Sequence, residues 1–356
     1  MNYVGIDLHK EQSWFYVMDS TGKRISSKSI SNETRVLKEY FETISRPFKL
    51  AVESTYNWYF FVDLAQQYAE EVFLANSYEL KAFAKRNKKT DKIDAKLIAD
   101  VLRKGYLPTV YIADKQTRSL KESLRYRMNL VKDRSKVIFR LKALLDKLGL
   151  QAVGDFTTDK ALDNIDFTSI PEDYQVIVKN YIEQLKWYRI KLYEYRKELE
   201  KDVTCDQDIL NLITIPGISF FSAALIKTTI ADISRFKSFN RLCSYAGLAP
   251  KVSQSAKTTK HGPLSNNRCK NLQWILIENA IHFIKAMPNI AKKHERIKQR
   301  KGYNTAKVAS ARDMLKVVYH VLKERRPFFK NKNISLTGRT RFLRSKGSEV
   351  PYRAAS

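Results

Sequence analysis

The pattern of hydrophobic and polar positions divides the chain into three regions, and the first of them mixes short apolar runs with amphipathic stretches. Short runs bounded by turn residues predict strands, whereas apolar residues that recur every three or four positions predict helices. The predicted strands span 2–8, 13–19, 24–30, 48–52 and 71–75, and the predicted helices span 31–44, 58–68, 78–84 and 91–103. Residues 1–110 are therefore predicted to form an α/β domain.

The order of these elements indicates a particular α/β fold. Three strands in a meander are followed by helix, strand, helix, strand and helix, which is the order of the RNase H fold. In that arrangement the strands at 2–8 and 48–52 are neighbours, and their carboxyl ends lie at the same edge of one sheet.

The second region has the pattern of long helices. Apolar positions follow helical spacing over 115–148, and over 178–199 they alternate in steps of three and four, which is typical of a coiled coil. The seam of the second stretch consists of Val178, Tyr181, Leu185, Tyr188, Leu192, Tyr195 and Leu199. About twenty residues around 156–171 are expected to be irregular. We predict a coiled-coil hairpin arm over 111–205 that mediates self-association into a dimer or tetramer.

The third region, 206–326, is predicted to be mainly helical, with helices near 230–239, 241–246, 268–285 and 305–325. Residues 212–219 resemble a helix-hairpin-helix turn, in which a glycine lets the backbone approach a phosphate; an ordinary turn between helices is the alternative. Residues 251–265 are polar, like an exposed loop. After Pro327 the periodicity ends, so 327–356 is predicted to be a flexible basic tail.

The charge of the chain indicates that its partners are anionic. The net charge is +28, from 65 Lys or Arg against 37 Asp or Glu, which points to nucleic acid. Over half of it lies beyond residue 291, where 19 Lys or Arg face 4 Asp or Glu. Because the sequence has no apolar run of about 18 residues, no signal-peptide pattern and no CxxC spacing, we expect a cytoplasmic protein without a membrane partner.

A few carboxylates stand out against this positive background. Asp7 and Glu53 end predicted strands, and Asp91 and Asp94 lie three residues apart on one helix face. If that helix packs beside those strands, the four carboxylates converge, and their mutual repulsion calls for cations. Oxygen ligands suit Mg²⁺ or Mn²⁺, and paired ions of this kind serve nucleases and strand-transfer enzymes.

Less specific interpretations stay open. Asp7 is equally able to cap a turn, Glu53 to pair with a lysine, and Asp91 to cap the helix. The chain is then a non-catalytic nucleic-acid-binding protein. A serine flanked by lysines in 251–265 is a possible nucleophile toward a phosphodiester, although the same composition is typical of a linker. Without such a nucleophile the chain is a plain metal nuclease or junction resolvase.

Several motifs, taken in order, resemble the DEDD transposases of bacterial insertion sequences, whose members act as bridge-RNA-guided DNA recombinases. The resemblance covers about residues 1–325. Its RuvC-like half is represented by Gly5-Ile6-Asp7, Glu53-Ser54-Thr55 and Lys89-Thr90-Asp91-Lys92-Ile93-Asp94-Ala95. Its transposase half is represented by Ile215-Pro216-Gly217-Ile218, Phe236-Lys237-Ser238, Tyr245-Ala246-Gly247-Leu248-Ala249-Pro250, Gln254-Ser255 and Gly262-Pro263-Leu264-Ser265.

The resemblance implies a fold and a mechanism. Asp7, Glu53, Asp91 and Asp94 would bind Mg²⁺ or Mn²⁺ in a RuvC-like domain, and a serine, best matched by Ser255, would attack DNA and become covalently joined to it. The implied partners are donor and target DNA, a structured guide RNA and further copies of the chain, at the bacterial nucleoid.

The sequence departs from the family pattern in three places. Ala256 follows Ser255 where the family usually has glycine, which leaves Ser253 as a rival nucleophile. Tyr56 stands where glycine usually follows Glu53-Ser54-Thr55. Asn266-Asn267-Arg268 replaces a basic, glycine-containing element.

Overall fold

The computed structural model describes residues 1–83, 90–203, 206–255, 258–264 and 268–328, without side-chain detail at 202–203, 251–255, 258–261 and 263. The chain divides into two compact units, Met1–Asp114 and Lys115–Ser356. Each unit is described by itself below. The predicted basic loop at 85–89, the sequence changes at Ala256 and Asn266-Asn267, and all but the first two residues of the predicted tail lie outside the described residues.

The first unit is built on a six-stranded sheet. Its strands are β1 (Asn2–Leu8), β2 (Gln12–Met18), β3 (Arg24–Ser31), β4 (Phe48–Glu53), β5 (Glu71–Ala75) and β6 (Thr109–Val110). The sheet order is β3-β2-β1-β4-β5-β6, with parallel pairing of β1 with β4 and of β4 with β5. The other pairs are antiparallel. The carboxyl ends of β1, β4 and β5 consequently share one sheet edge.

Helices cover both faces of this sheet. They are α1 (Thr34–Thr43), α2 (Trp58–Ala65), α3 (Ser77–Leu80) and α4 (Asp91–Arg103). Phe41 of α1 and Phe61 of α2 pack with Ile6 and Phe15 on one face. Ala95 and Ala99 of α4 pack with Tyr16 and Met18 of β2 on the other. The alternating side chains of β1 and β2 thus fill two separate cores.

The predicted α/β character and element order of the first unit are confirmed. Two details differ. β6 was not predicted, because two residues are too few to show a period. Helix α1 is capped at Glu33 without a side-chain bond, because Asn32 instead binds the carbonyl oxygens of His9 and Lys10.

The second unit begins with two long helices, α5 (Lys115–Lys147) and α7 (Glu172–Val203). The connection between them is not irregular as predicted. It contains α6 (Asp159–Asp163) and a 3₁₀ turn (Phe167–Ser169), whose backbone amides are capped by the side chains of Thr158 and Asp166. Two apolar residues of this connection, Phe156 and Leu162, join the α5–α7 core at the tip.

Part of the predicted seam of α7 packs against α5 within the same chain. Val178 and Leu185 are buried in one cluster with Val137 and Leu141 of α5, whereas Leu192 is only partly buried. Self-association through the seam stays a prediction, and so does a coiled coil.

The remaining helices form one further core, so the predicted helical character of this region is confirmed. They are α8 (Gln207–Ile213), α9 (Phe220–Ile230), α10 (Phe239–Tyr245), α11 (Lys270–Ala286), α12 (Pro288–Lys301) and α13 (Tyr303–Glu324). The helix predicted at 230–239 is wrong, because those residues contain a 3₁₀ turn (Ile233–Arg235) between two helices. α12 was not predicted, because its sequence is dominated by charged residues. Over the described ranges, every helix is too short or too polar to cross a membrane.

The polar stretch at 251–265 is not a loop over its described part. Its backbone forms a two-stranded antiparallel sheet of β7 (Pro250–Ser255) and β8 (Thr258–Leu264), in which Ser255 pairs with Thr258. Composition predicted exposure, whereas the β-branched residues Val252, Thr258 and Thr259 favour the strands that form.

The glycine of the predicted helix-hairpin-helix turn has a packing role. Gly217 adopts a φ of +87°, and a Cβ there would lie 3.0 Å from the Asn279 carbonyl oxygen and 3.0 Å from the Phe283 amide nitrogen of α11. This close approach accounts for the glycine without any phosphate.

Candidate active site

Asp7 and Glu53 lie at neighbouring strand ends. β1 and β4 run parallel, with Ile6 opposite Val52, so the next residue of each strand is one of the two acids. Asp7 is only 6% exposed, whereas Glu53 is partly exposed. The sheet therefore holds one buried carboxyl beside a more accessible one.

Helix α4 brings the third acid to the same edge. It packs on β1 at Gly5, where a Cβ would lie 2.2 Å from the Ala95 carbonyl oxygen and 2.3 Å from the Ala99 amide nitrogen. Only glycine permits so close a contact between a strand and a helix backbone. The start of α4, with Asp91 as its first residue, consequently lies beside Asp7.

The cap of α4 leaves Asp91 available for the site. The Thr90 hydroxyl accepts a hydrogen bond from the Ile93 amide at 3.3 Å, so the capping role that was an alternative for Asp91 belongs to Thr90.

A histidine joins the two aspartates. His9 Nε2 lies 3.2 Å from Asp7 Oδ2 and 3.5 Å from Asp91 Oδ1. One possible ligand atom from each of these three residues lies within 4.8 Å of the others. This grouping, here called the acidic cluster together with the neighbouring Glu53, is the arrangement that can hold a divalent cation.

The charges around Asp7 act on its ionisation. Burial raises the pKa of the Asp7 carboxyl above its ordinary value, and the nearby charges of Glu53 and Asp91 raise it further, while His9 opposes them. Without a cation, the like charges and the burial both penalise the ionised form.

The segment that carries His9 is fixed by two amide side chains. The His9 carbonyl oxygen accepts hydrogen bonds from Asn32 Nδ2 at 2.9 Å and from Asn57 Nδ2 at 2.7 Å. Asn32 also accepts a bond from the buried Ser13 hydroxyl. The turn after β1 is thereby tied both to the end of β3 and to the loop after Glu53.

Asp94 lies in the same first turn of α4 and is partly buried. Among the described residues, the group of close ligand atoms consists of Asp7, His9 and Asp91, and Asp94 is outside it. The structure thus groups Asp7 and Asp91 with His9, places Glu53 at the neighbouring strand end, and places Asp94 in the same first turn of α4 as Asp91.

Ser255 belongs to the second unit, at the end of β7, and Ser253 pairs with Lys260 in the same hairpin. Their side chains are outside the described part of the chain. The role of either serine as nucleophile stays a prediction.

His9 is the site residue that the sequence analysis missed. A single histidine without a CxxC, HxxxH or similar spacing carries no metal signal of its own. The available signal was its position two residues after Asp7, which places both side chains on the same side of an extended segment.

Comparison with known proteins identifies the family. A family model described as "Transposase", for the DEDD transposases of the IS110 group, matches residues 4–149, and another described as "Transposase IS116/IS110/IS902 family" matches residues 210–295. The chain belongs to the IS110 family of DEDD transposases. The first match contains the acidic cluster and the second contains Ser255, so the resemblance seen in the sequence motifs is confirmed.

Individual transposases are similar to this IS110-family chain over most of their length. The transposase for insertion sequence element IS1328 of Yersinia enterocolitica is 25% identical over 284 residues, which is 78% of this chain and 82% of that protein. The transposase for element IS1111A of Coxiella burnetii is 24% identical over 260 residues, 70% of each chain. A probable family 20 transposase of Pseudomonas aeruginosa is 19% identical over 331 residues, 90% and 97% of the two chains. These relatives support a transposase function.

Proposed function

We propose that this transposase cuts and rejoins DNA strands at a divalent-metal site built from Asp7, Glu53, Asp91 and Asp94. The observation that carries the proposal is the grouping of Asp7, His9 and Asp91 within 4.8 Å at one edge of the sheet. The net charge of +28 supports a polyanionic substrate. The sheet order supports assigning residues 1–110 to an RNase H-like, RuvC-like catalytic domain.

The residues of the acidic cluster fit Mg²⁺ or Mn²⁺. A buried carboxyl whose pKa is raised beside two further acids gains stability from a cation that neutralises the repulsion. Carboxylate oxygens suit Mg²⁺, and the imidazole of His9 adds a nitrogen that Mn²⁺ accepts more readily. When bound there, a divalent ion supplies Lewis-acid stabilisation of the charge that develops on the phosphodiester.

The chain's own residues supply positioning. Asp7 is fixed by β1, Asp91 by the backbone contact of α4 with Gly5, and His9 by the two asparagine side chains that bind its carbonyl. A site held on strands and a helix in this way restricts the approach of the scissile phosphodiester more than a loop would.

We assign the nucleophile to Ser255, with Ser253 as the alternative. The serine oxygen attacks the phosphorus of a DNA strand, a phosphoserine ester forms, and the bond from phosphorus to the leaving deoxyribose oxygen breaks. The serine proton passes to solvent, and the leaving oxygen takes up a proton. Attack by a DNA hydroxyl then reverses these changes and frees the serine. One ester replaces another at each stage, so no external energy source is needed.

The other components of the proposal follow the family resemblance. Residues 111–205 would be the arm that associates copies of the chain, 206–326 the transposase domain and 327–356 a basic tail. A structured guide RNA would direct the enzyme to donor and target DNA at the nucleoid. Sequencing of RNA that co-purifies with the protein tests the guide; a heterogeneous population that matches cellular RNA would contradict it.

Cleavage by variants of the acids tests the metal site. Asp7→Ala and Asp94→Ala should abolish strand cleavage in Mg²⁺ or Mn²⁺ while DNA binding persists, because removing one acid of a cluster relieves repulsion rather than unfolding the domain. Glu42→Ala, an exposed acid of α1, is the matched control and should cleave like the wild type. Wild-type cleavage by both Asp7→Ala and Asp94→Ala would contradict the proposal.

Trapping of a protein–DNA adduct tests the serine. The wild type should give a protease-sensitive adduct, and Ser255→Ala should give none. An adduct that persists in Ser255→Ala and disappears in Ser253→Ala would move the assignment by two residues. Cleavage without any adduct would identify a plain metal nuclease.

A further inference from the structure

Two exposed tyrosines follow β4 and β5, whose carboxyl ends share the sheet edge of the acidic cluster. The side chain of Tyr56 is 80% exposed and that of Tyr78 is 64% exposed. Glu53 of β4 pairs in parallel register with Ala75 of β5. Tyr56 lies three residues after Glu53, and Tyr78 lies three residues after Ala75. Two aromatic rings therefore follow neighbouring strands at the edge that carries the carboxylates.

Both tyrosine segments are held in place by hydrogen bonds. The Ser54 amide donates to the Ala75 carbonyl at 3.1 Å, and the Ser54 and Ser77 hydroxyls lie 3.1 Å apart. The Asn76 side chain accepts a bond from the Tyr78 amide at 3.1 Å. The two loops are thus linked to each other next to Glu53.

Tyr56 is also connected to the centre of the cluster. Its neighbour Asn57 donates a 2.7 Å hydrogen bond to the His9 carbonyl, and His9 Nε2 lies 3.2 Å from Asp7 Oδ2. One residue and one hydrogen bond therefore separate the exposed ring from the residue that contacts the buried carboxylate.

The chemistry of this surface fits one kind of partner. An exposed aromatic ring beside a carboxylate cluster adds little binding energy for a substrate that is only polar. Every nucleobase, by contrast, has a flat apolar face that stacks on such a ring. Two exposed rings that follow neighbouring strands of one sheet edge therefore fit a nucleic-acid strand whose bases are unpaired.

We propose that Tyr56, supported by Tyr78, stacks on an unpaired base of the DNA strand next to the phosphodiester that is cut. This inference rests on the proposed function, because it takes the acidic cluster as the place of that phosphodiester. Stacking would hold the strand locally open, so that a duplex with its bases paired is a poorer ligand than a strand with unpaired bases at the junction.

Binding in EDTA, where no cleavage is expected, tests the inference. The probe is a forked DNA with 2-aminopurine among its unpaired bases, and a fully paired duplex of the same length is the reference. Tyr56→Ala should weaken binding of the fork at least about fivefold and remove the quenching of 2-aminopurine, since one stacked base contributes about 1–3 kcal/mol. Tyr56→Phe should keep both signals, and duplex binding should change little.

Tyr106→Ala is the matched control. Tyr106 is 73% exposed in the same unit, but it follows the far end of α4, about 20 Å from Asp91 at 1.5 Å per helical residue. It should bind the fork like the wild type. The ratio of the wild-type affinity to the Tyr56→Ala affinity should also stay constant as the salt concentration is raised, because stacking releases no counterions.

Several outcomes would overturn the inference. One is unchanged fork binding in the double variant Tyr56→Ala/Tyr78→Ala, and another is an equal loss in Tyr106→Ala. A loss seen only with single-stranded RNA would assign the surface to RNA instead. Loss of cleavage in Asp7→Ala together with a neutral Tyr56→Ala would leave the proposed function standing without this contact. Stacking by a wild-type protein that never cleaves DNA would leave this contact standing without the proposed function.

Discussion

The contact between β1 and α4 differs in kind from the contact between α5 and α7. At Gly5 the strand and helix backbones touch with no side chain between them, so the position of Asp91 relative to Asp7 is set by main-chain atoms. Between α5 and α7, large side chains such as Leu141 and Leu185 fill the space. A backbone contact fixes the positions of nearby functional groups and tolerates no added atoms. A side-chain seam provides stability, and its side chains can repack.

Of these two contacts, the one at Gly5 is expected to show the larger effect when it is disturbed. Gly5→Ala adds a carbon that overlaps backbone atoms, so α4 must shift away from β1. Overpacking of this kind costs about 1–3 kcal/mol of folding free energy. A displacement of about 1 Å can lower catalysis about a hundredfold, so we expect cleavage to fall by roughly that factor, as measured by single-turnover rates.

Gly105→Ala is the control for that experiment. A Cβ at Gly105 meets nothing within 4 Å, although its φ of +75° disfavours alanine by about 1 kcal/mol. The two variants should lose comparable stability in thermal melts, while only Gly5→Ala loses cleavage. Equal activity would show that the backbone contact does not set the geometry of the acids.

A smaller effect is expected from His9. His9→Asn removes the proposed nitrogen ligand but leaves a side chain of similar polarity, so Mn²⁺ affinity should fall about tenfold, by analogy with the effect of groups that support metal ligands. Affinity for Mg²⁺ should fall less, since Mg²⁺ prefers oxygen. Isothermal titration with each ion measures the two changes; a loss confined to Mg²⁺ would assign His9 a different role.

The side-chain seam should respond without disturbing the acids. Leu141→Ala should lower stability by about 2–5 kcal/mol, since Leu141 is fully buried in the α5–α7 core. Metal affinity at the acidic cluster should stay at the wild-type value. A parallel loss of metal affinity in titrations would show that the seam, too, sets the geometry of the site.

Leu192→Glu tests the seam's second predicted role. Leu192 is only partly buried, and a charge there should shift an oligomer toward monomer in light scattering. Unchanged mass with intact helix content would mean that the stripe serves packing within one chain.

A further prediction concerns nucleic-acid affinity as a whole. With a net charge of +28, we expect at least about six phosphate contacts and a log–log salt slope of about −5 or steeper. Deleting residues 330–356 should weaken binding to all sequences alike, since phosphate contacts carry no base identity. Fluorescence anisotropy at several salt concentrations measures both; a flat salt response would contradict the electrostatic account.

Local patterns were sufficient to predict the elements that carry Asp7, Glu53 and Asp91, because each acid lies at or next to one end of a periodic segment. His9 could not be predicted, because its role depends on a turn held by Asn32 and Asn57, which are remote in sequence. The contact at Gly5 is equally long-range. Composition also misassigned the β7–β8 hairpin and passed over α12, since polar and charged residues conceal the period in both.

We expect the sheet edge carrying Asp7, Glu53 and Asp91 to bind divalent cations. Electron paramagnetic resonance of Mn²⁺ titrated into the 356-residue chain measures this binding, with Asp7→Asn and Glu42→Gln as the compared variants. The wild type and Glu42→Gln should remove free Mn²⁺ from solution with equal affinity and stoichiometry, and Asp7→Asn should lose that binding. Equal Mn²⁺ binding by Asp7→Asn and the wild type would contradict the account.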